Sequence, residues 1–132
     1  MFTTTPFSVW DLKNELLAGL VDNGWEFATQ VQKDTIPLAL QGKDVIGQAR
    51  TGSGKTAAFG LPTMNFCQPT GELQALILTP TRELANQVAE ELSNIQGKAG
   101  LRILTVYGGT DLEKQARSLN KGVDIIVGTP GR

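Results

Sequence analysis

The 132-residue chain contains no histidine and a single cysteine, Cys67. These absences exclude a disulfide within the chain, acid–base catalysis by imidazole and a metal site built from cysteine and histidine. Basic residues are not in excess either: 12 Lys and Arg stand against 13 Asp and Glu, for a net charge of -1. The overall field therefore offers a polyanion no pull, and any nucleic acid must be met by a few local groups. No apolar run approaches the roughly eighteen residues of a membrane span. The opening Met1-Phe2-Thr3-Thr4-Thr5-Pro6 has no cationic segment leading into an apolar one. A cytosolic (cytoplasmic) protein is the expectation. What remains, 40% hydrophobic and 19% charged residues, suits one globular domain with one core.

Along the chain, Leu16, Leu17, Leu20 and Val21 recur at helical spacing after Leu12, and Asn23-Gly24 supplies a stop. A second helix is expected from Thr29, whose hydroxyl can cap it, through Val31 and Ile36 toward Leu40, with Pro37 kinking or ending it. Gln41-Gly42-Lys43 closes it. Apolar runs at Val45-Ile46, Ala75 to Leu78, Ile103 to Tyr107 and Ile125 to Val127 read as strands. Between them, Leu84, Ala85, Val88, Ala89, Leu92 and Ile95 form one helical stripe, and Leu112, Gln115, Ala116 and Leu119 a shorter one. Alternating strands and helices predict an α/β fold with a parallel sheet.

Ala49-Arg50-Thr51-Gly52-Ser53-Gly54-Lys55-Thr56 lies between an expected strand and an expected helix, the context a phosphate-binding P-loop requires. Glycines let the backbone curl so that successive N–H groups face a phosphate, and the helix N-terminus adds positive potential. Lys55 would reach the β and γ phosphates, and Thr56 would offer its hydroxyl to a magnesium ion bridging phosphate oxygens. The competing reading is a glycine-rich surface turn before a helix.

Other segments stand in a telling order. Gly24-Trp25-Glu26-Phe27-Ala28-Thr29-Gln30-Val31-Gln32 precedes the loop, while Pro80-Thr81-Arg82-Glu83-Leu84-Ala85, Gly108-Gly109 and Thr129-Pro130-Gly131-Arg132 follow the later strands. From Phe7 to Arg132 the chain resembles the first RecA-like domain of DEAD-box RNA helicases, ATP-dependent enzymes that locally unwind RNA duplexes. The resemblance implies an α/β, RecA-like P-loop parallel sheet with flanking helices, incomplete toward its C-terminus. Residues 1–132 would be a partial N-terminal RecA-like (helicase ATP-binding) domain, with 7–42 as its adenine-recognition segment and the second RecA-like domain absent.

The resemblance further implies an ATP site in which Gln32 reads adenine, Phe7 stacks on its ring and Thr29 belongs to the same segment. Ala49, Thr51, Gly52, Ser53, Gly54, Lys55 and Thr56 would hold the phosphates. Lys55 and Thr56 would serve catalysis, and Thr56 would bind magnesium. RNA would be held by its backbone, independently of sequence, through Thr81, Arg82, Gly109, Thr129 and Arg132. Simpler readings stand beside these: core packing for Phe7 and Trp25, helix capping for Thr81, a tight turn at Gly108-Gly109, and a chain terminus without a role for Arg132. Ala28 departs from the family's usual proline, implying a less rigid loop and no change of base.

The family's Asp-Glu-Ala-Asp strand does not occur in the sequence. Asp124 precedes its strand, and Glu90 and Glu91 lie inside a helical pattern, so none of them fits the water-positioning role. The segment coupling ATP to RNA and the second domain's arginines are likewise missing. A fragment inactive in hydrolysis is expected. In the family's sheet, the strand after the acidic one lies beside the P-loop strand; without it, strand edges should stay unpaired and apolar surface exposed. A non-hydrolysing nucleotide- or RNA-binding module is the alternative, and a different P-loop motor such as a DNA translocase a third reading, which Gln32 and the later segments oppose.

Overall fold

Helix α1 spans Asn14–Asp22 and buries Leu16, Gly19 and Leu20 on one stripe, while Val21 on the opposite side is exposed. Its cap residue Lys13 offers no side-chain acceptor for the helix, but Asn65 accepts the Lys13 N–H at 2.8 Å. At the far end Gly24 adopts φ 76°, a turn only glycine takes at little cost, and the Trp25 N–H returns to the Leu20 carbonyl at 2.9 Å. The computed structural model describes residues 2–50, 52–108 and 112–131. The chain divides into two units, residues 1–66 with 94–98 and residues 67–93 with 99–132.

In the first unit, β1 (Phe2–Pro6) pairs antiparallel with β2 (Phe27–Thr29), with an irregular register between Phe2 and Pro6. The sequence pattern pointed to neither strand, and the segment around Ala28, expected as a loop, is strand. Ala28 is fully buried, and its carbonyl accepts the Thr3 hydroxyl at 2.8 Å. Helix α2 (Gln30–Leu40) starts after Thr29, as expected, and continues past Pro37 to Leu40. It packs on α3 (Lys55–Phe66), which buries Ala57, Ala58, Leu61 and Met64.

The strand expected at Val45-Ile46 is not formed. A strand's backbone groups need a neighbouring ladder, and none is supplied among the described residues: the segment has no regular structure, and Ile46 is 94% exposed.

In the second unit, β3 (Ala75–Leu78), α4 (Arg82–Ile95, inside this unit up to Ser93), β4 (Ile103–Val106), α5 (Leu112–Asn120) and β5 (Ile125–Gly128) follow in order. The three strands are parallel in the order β3-β5-β4, with Leu76 beside Ile126 and Ile126 beside Leu104. The last strand in sequence is thus central, and its Ile125 and Val127 are fully buried. On α4 the stripe Ala85, Val88 and Leu92 is buried, as its spacing predicts. Leu76 and Leu78, on one face of β3, stay 61% and 62% exposed.

Asp124 ties the entry ends of these strands together. Its Oδ1 accepts the Thr70 and Gly71 N–H groups at 3.1 and 2.8 Å and the Gln74 amide at 3.2 Å, and its Oδ2 accepts the Arg102 N–H at 2.8 Å. It is 2% exposed, and these donors satisfy both of its buried oxygens.

Candidate nucleotide and nucleic-acid sites

The loop before α3 curls through Gly52 and Gly54, at φ 82° and 88°, in the left-handed region where side chains are disfavoured. The Ser53 N–H closes a turn on the Arg50 carbonyl at 3.1 Å, and helix α3 begins at Lys55. Lys55 is therefore exposed at a helix N-terminus, with Thr56 half-buried behind it. That is the end of a helix where unpaired N–H groups and the helix dipole favour an anion.

Gln32, in the first turn of α2, is 1% exposed. Its carbonyl oxygen accepts the Thr29 N–H at 2.9 Å, and its amide donates to the Gly54 carbonyl at 3.1 Å. A Cβ on Gly54 would collide with this amide and approach the Thr29 hydroxyl at 3.0 Å. Gly54 is thereby brought to Thr29 and Gln32 across 22 residues of chain. Only the glutamine half of the α2 capping box closes, because the buried Thr29 hydroxyl has no hydrogen-bond partner among the described residues. The Ser53 hydroxyl is likewise buried and unpartnered.

Ala49, Arg50 and Ser53 line a recess of about 460 Å³ opposite Val31, Asp34 and Thr35 of α2. Gly47 fits against α2 so closely that a Cβ there would lie 3.3 Å from the Thr35 methyl. Phe7 sits elsewhere in the unit's core, 3% exposed, edge-on to Trp10 at 6.0 Å and tilted against Trp25 at 6.3 Å. Core packing accounts for both Phe7 and Trp25 in this arrangement.

In the second unit the described candidates Thr81, Arg82 and Thr129 follow the carboxyl ends of parallel strands, where open α/β sheets place their ligands. Thr81 follows β3, Gly108 follows β4 and Thr129 follows β5. Thr81 caps α4, its hydroxyl accepting the Leu84 N–H at 3.2 Å. Arg82 is exposed at the first position of α4, 5.7 Å above the Tyr107 ring. The Thr129 N–H is bound to the Val106 carbonyl at 3.1 Å. Thr51, Gly109 and Arg132 lie outside the described residues.

Two residues here escaped the sequence reading. Thr79 is 6% exposed, and its hydroxyl reaches the Thr81 carbonyl at 3.1 Å and the Gly128 carbonyl at 3.5 Å, pinning the β3 loop to the end of β5. A hydroxyl ending an apolar run just before Pro80 was the available signal. Tyr107 is the other, and nothing in its sequence context foretold the arginine above it.

The family model described as DEAD/DEAH box helicase matches residues 29–132. RNA helicase CrhR of Synechocystis is 53% identical over 98% of the chain, and ATP-dependent RNA helicase CshA of Listeria monocytogenes 52% over 97%. The chain spans about a quarter of the length of these curated relatives, 26% and 25%. The crystal structure of a DEAD box protein from Methanococcus jannaschii superposes with a TM-score of 0.92 at 40% identity, covering 100% of this chain and 36% of that one. A hypothetical ATP-dependent RNA helicase from Sulfolobus tokodaii gives 0.82 at 39% identity, over 92% of this chain and 35% of that one.

Proposed function

The chain belongs to the DEAD/DEAH box helicase family, and from that membership we propose that it binds ATP with magnesium at residues 49–56 and the RNA backbone at the loops after β3, β4 and β5. The observation that carries the reading is the glycine-cradled turn delivering Lys55 and Thr56 to the start of α3. Residues 1–132 act as part of an N-terminal RecA-like domain, and 7–42 as its adenine segment.

In this reading the loop's N–H groups and Lys55 hold the phosphates. Gln32, with one amide proton and one carbonyl lone pair beyond its two bonds, carries adenine recognition. Thr56 is the protein ligand for magnesium. Magnesium draws most of its ligands from phosphate and water, so a single protein hydroxyl suffices. Held there, the ion would supply positive charge to offset that of the phosphates.

Thr81, Arg82, Gly109, Thr129 and Arg132 grip phosphates and sugars without reading bases. RNA in the cytoplasm is the proposed partner, and the parent enzyme couples ATP hydrolysis to duplex unwinding. The 132-residue chain alone binds without turnover, because its sequence holds no Asp-Glu-Ala-Asp and phosphoryl transfer depends on positioning and charge stabilisation.

Titration with a fluorescent ATP analogue and magnesium tests the nucleotide half. Saturable binding that Lys55→Ala loses is expected. Binding that survives the substitution sinks the P-loop assignment.

A further inference from the structure

Arg82 occupies an electrostatically poor position. It opens α4, where the helix dipole disfavours a cation and favours an anion. Its ion pair with Glu83 is long, 3.8 Å, between side chains 56% and 74% exposed, and such a pair holds a side chain only weakly. What else restrains it is Tyr107, whose ring lies 5.7 Å below the guanidinium.

Tyr107 is anchored at its backbone and touched at its hydroxyl. The Tyr107 carbonyl accepts the Gln115 amide of α5 at 3.0 Å, and its hydroxyl lies 3.5 Å from the amide of Asn86. Asn86 is one helical turn beyond Arg82 on α4, so it stands on the same face. A guanidinium stacked on a ring keeps its N–H fork in its own plane, pointing past the ring edge. The donors stay free for a phosphate while the long side chain loses much of its motion in advance, which lowers the ordering cost of binding.

We propose that Tyr107 is a positioning residue for RNA binding, holding the Arg82 guanidinium at the carboxyl edge of the sheet so that it meets an RNA phosphate preorganised. This rests on the RNA-binding reading above and names a residue that reading did not include. The ring acts through the arginine and needs no RNA contact of its own.

The test is fluorescence anisotropy of a labelled single-stranded oligouridylate against the full 132-residue chain, at several salt concentrations, with circular dichroism to check folding. Tyr107→Leu should weaken binding by about two- to fivefold, the factor an exposed cation–π contact is worth. It should also lower the salt dependence in the same direction as Arg82→Ala, up to the ~0.7 in slope expected per lost phosphate contact on a single strand. Tyr107→Phe keeps the ring under the guanidinium and loses only the long 3.5 Å contact with Asn86, so it should bind nearly as the unsubstituted chain does. In the Arg82→Ala background, Tyr107→Leu should have no further effect.

Additive losses, or weakening by Tyr107→Leu with an unchanged salt slope, would mean a merely structural tyrosine and overturn the inference alone. If the unsubstituted chain binds no RNA, or Arg82→Ala binds as well as it does, the RNA reading fails and takes this inference with it.

Discussion

The side-chain amide of Gln32 donates to the Gly54 carbonyl at 3.1 Å, linking the first turn of α2 to the loop that opens α3. The same side chain accepts the Thr29 N–H at 2.9 Å. A glutamine expected to meet the base is thus also a brace for the phosphate loop, and nucleotide affinity should depend on it through both routes.

Replacing Gln32 separates its two bonds. Gln32→Glu can still accept from Thr29 but turns an acceptor toward the Gly54 carbonyl, while Gln32→Ala loses both bonds and leaves the buried Thr29 N–H unpaired. Each should destabilise the chain by about 1–3 kcal/mol and weaken nucleotide binding. Urea denaturation beside an ATP-analogue titration checks this. Unchanged stability in both variants would refute the brace.

At the opposite end of the sheet from the RNA candidates, Asp124→Asn should be severe for its size. The new NH₂ group cannot accept the bonds made to both carboxylate oxygens, so whichever way the amide turns, at least one backbone N–H meets a donor. About 1–3 kcal/mol of stability should be lost. Asp124→Glu, one methylene longer in a closely fitted site, should fare no better. Denaturation midpoints decide the matter, and an Asn variant as stable as the original chain would contradict it.

Gly19 of α1 touches backbone, so Gly19→Ala should destabilise despite alanine's better helix propensity. A Cβ there would overlap the Ile95 carbonyl and come within 2.7 Å of the Gly97 nitrogen. Backbone cannot step aside as a flexible side chain can, and about 1–3 kcal/mol is the expected cost of overpacking. Ala18→Gly on the exposed side of the same helix is the control, costing roughly 1 kcal/mol from propensity alone. A neutral Gly19→Ala would rule out the close approach.

Leu76 and Leu78 are more than half exposed on one face of β3, and exposed apolar strands invite association. The double substitution Leu76→Thr/Leu78→Thr, which keeps β propensity, should reduce self-association in sedimentation velocity while leaving the circular dichroism spectrum intact. Equal association before and after would show that this face is not responsible.

How much of this was legible beforehand differs by residue. The turn before α3 was readable because glycines at two-residue spacing before Lys-Thr are a local demand: Gly52 and Gly54 do take positive φ, and α3 does start at Lys55. The stripe on α4 and the apolar run of β5 were readable for the same reason, since periodicity is written in consecutive residues. Val45-Ile46 shows the limit. Its composition says strand, yet a strand exists only where another backbone pairs with it, and among the described residues none does.

The sequence by itself therefore determined the helices, the three paired parallel strands and the glycine turn before α3, all properties of short stretches. Only the tertiary structure decided that the last strand in sequence is the middle one in space. It alone brought Tyr107 under Arg82 and let Gln32 close on Gly54 across 22 residues of chain. The physical reason is the same in each case: a contact between distant residues is set by how whole elements pack, and no local pattern records its partner.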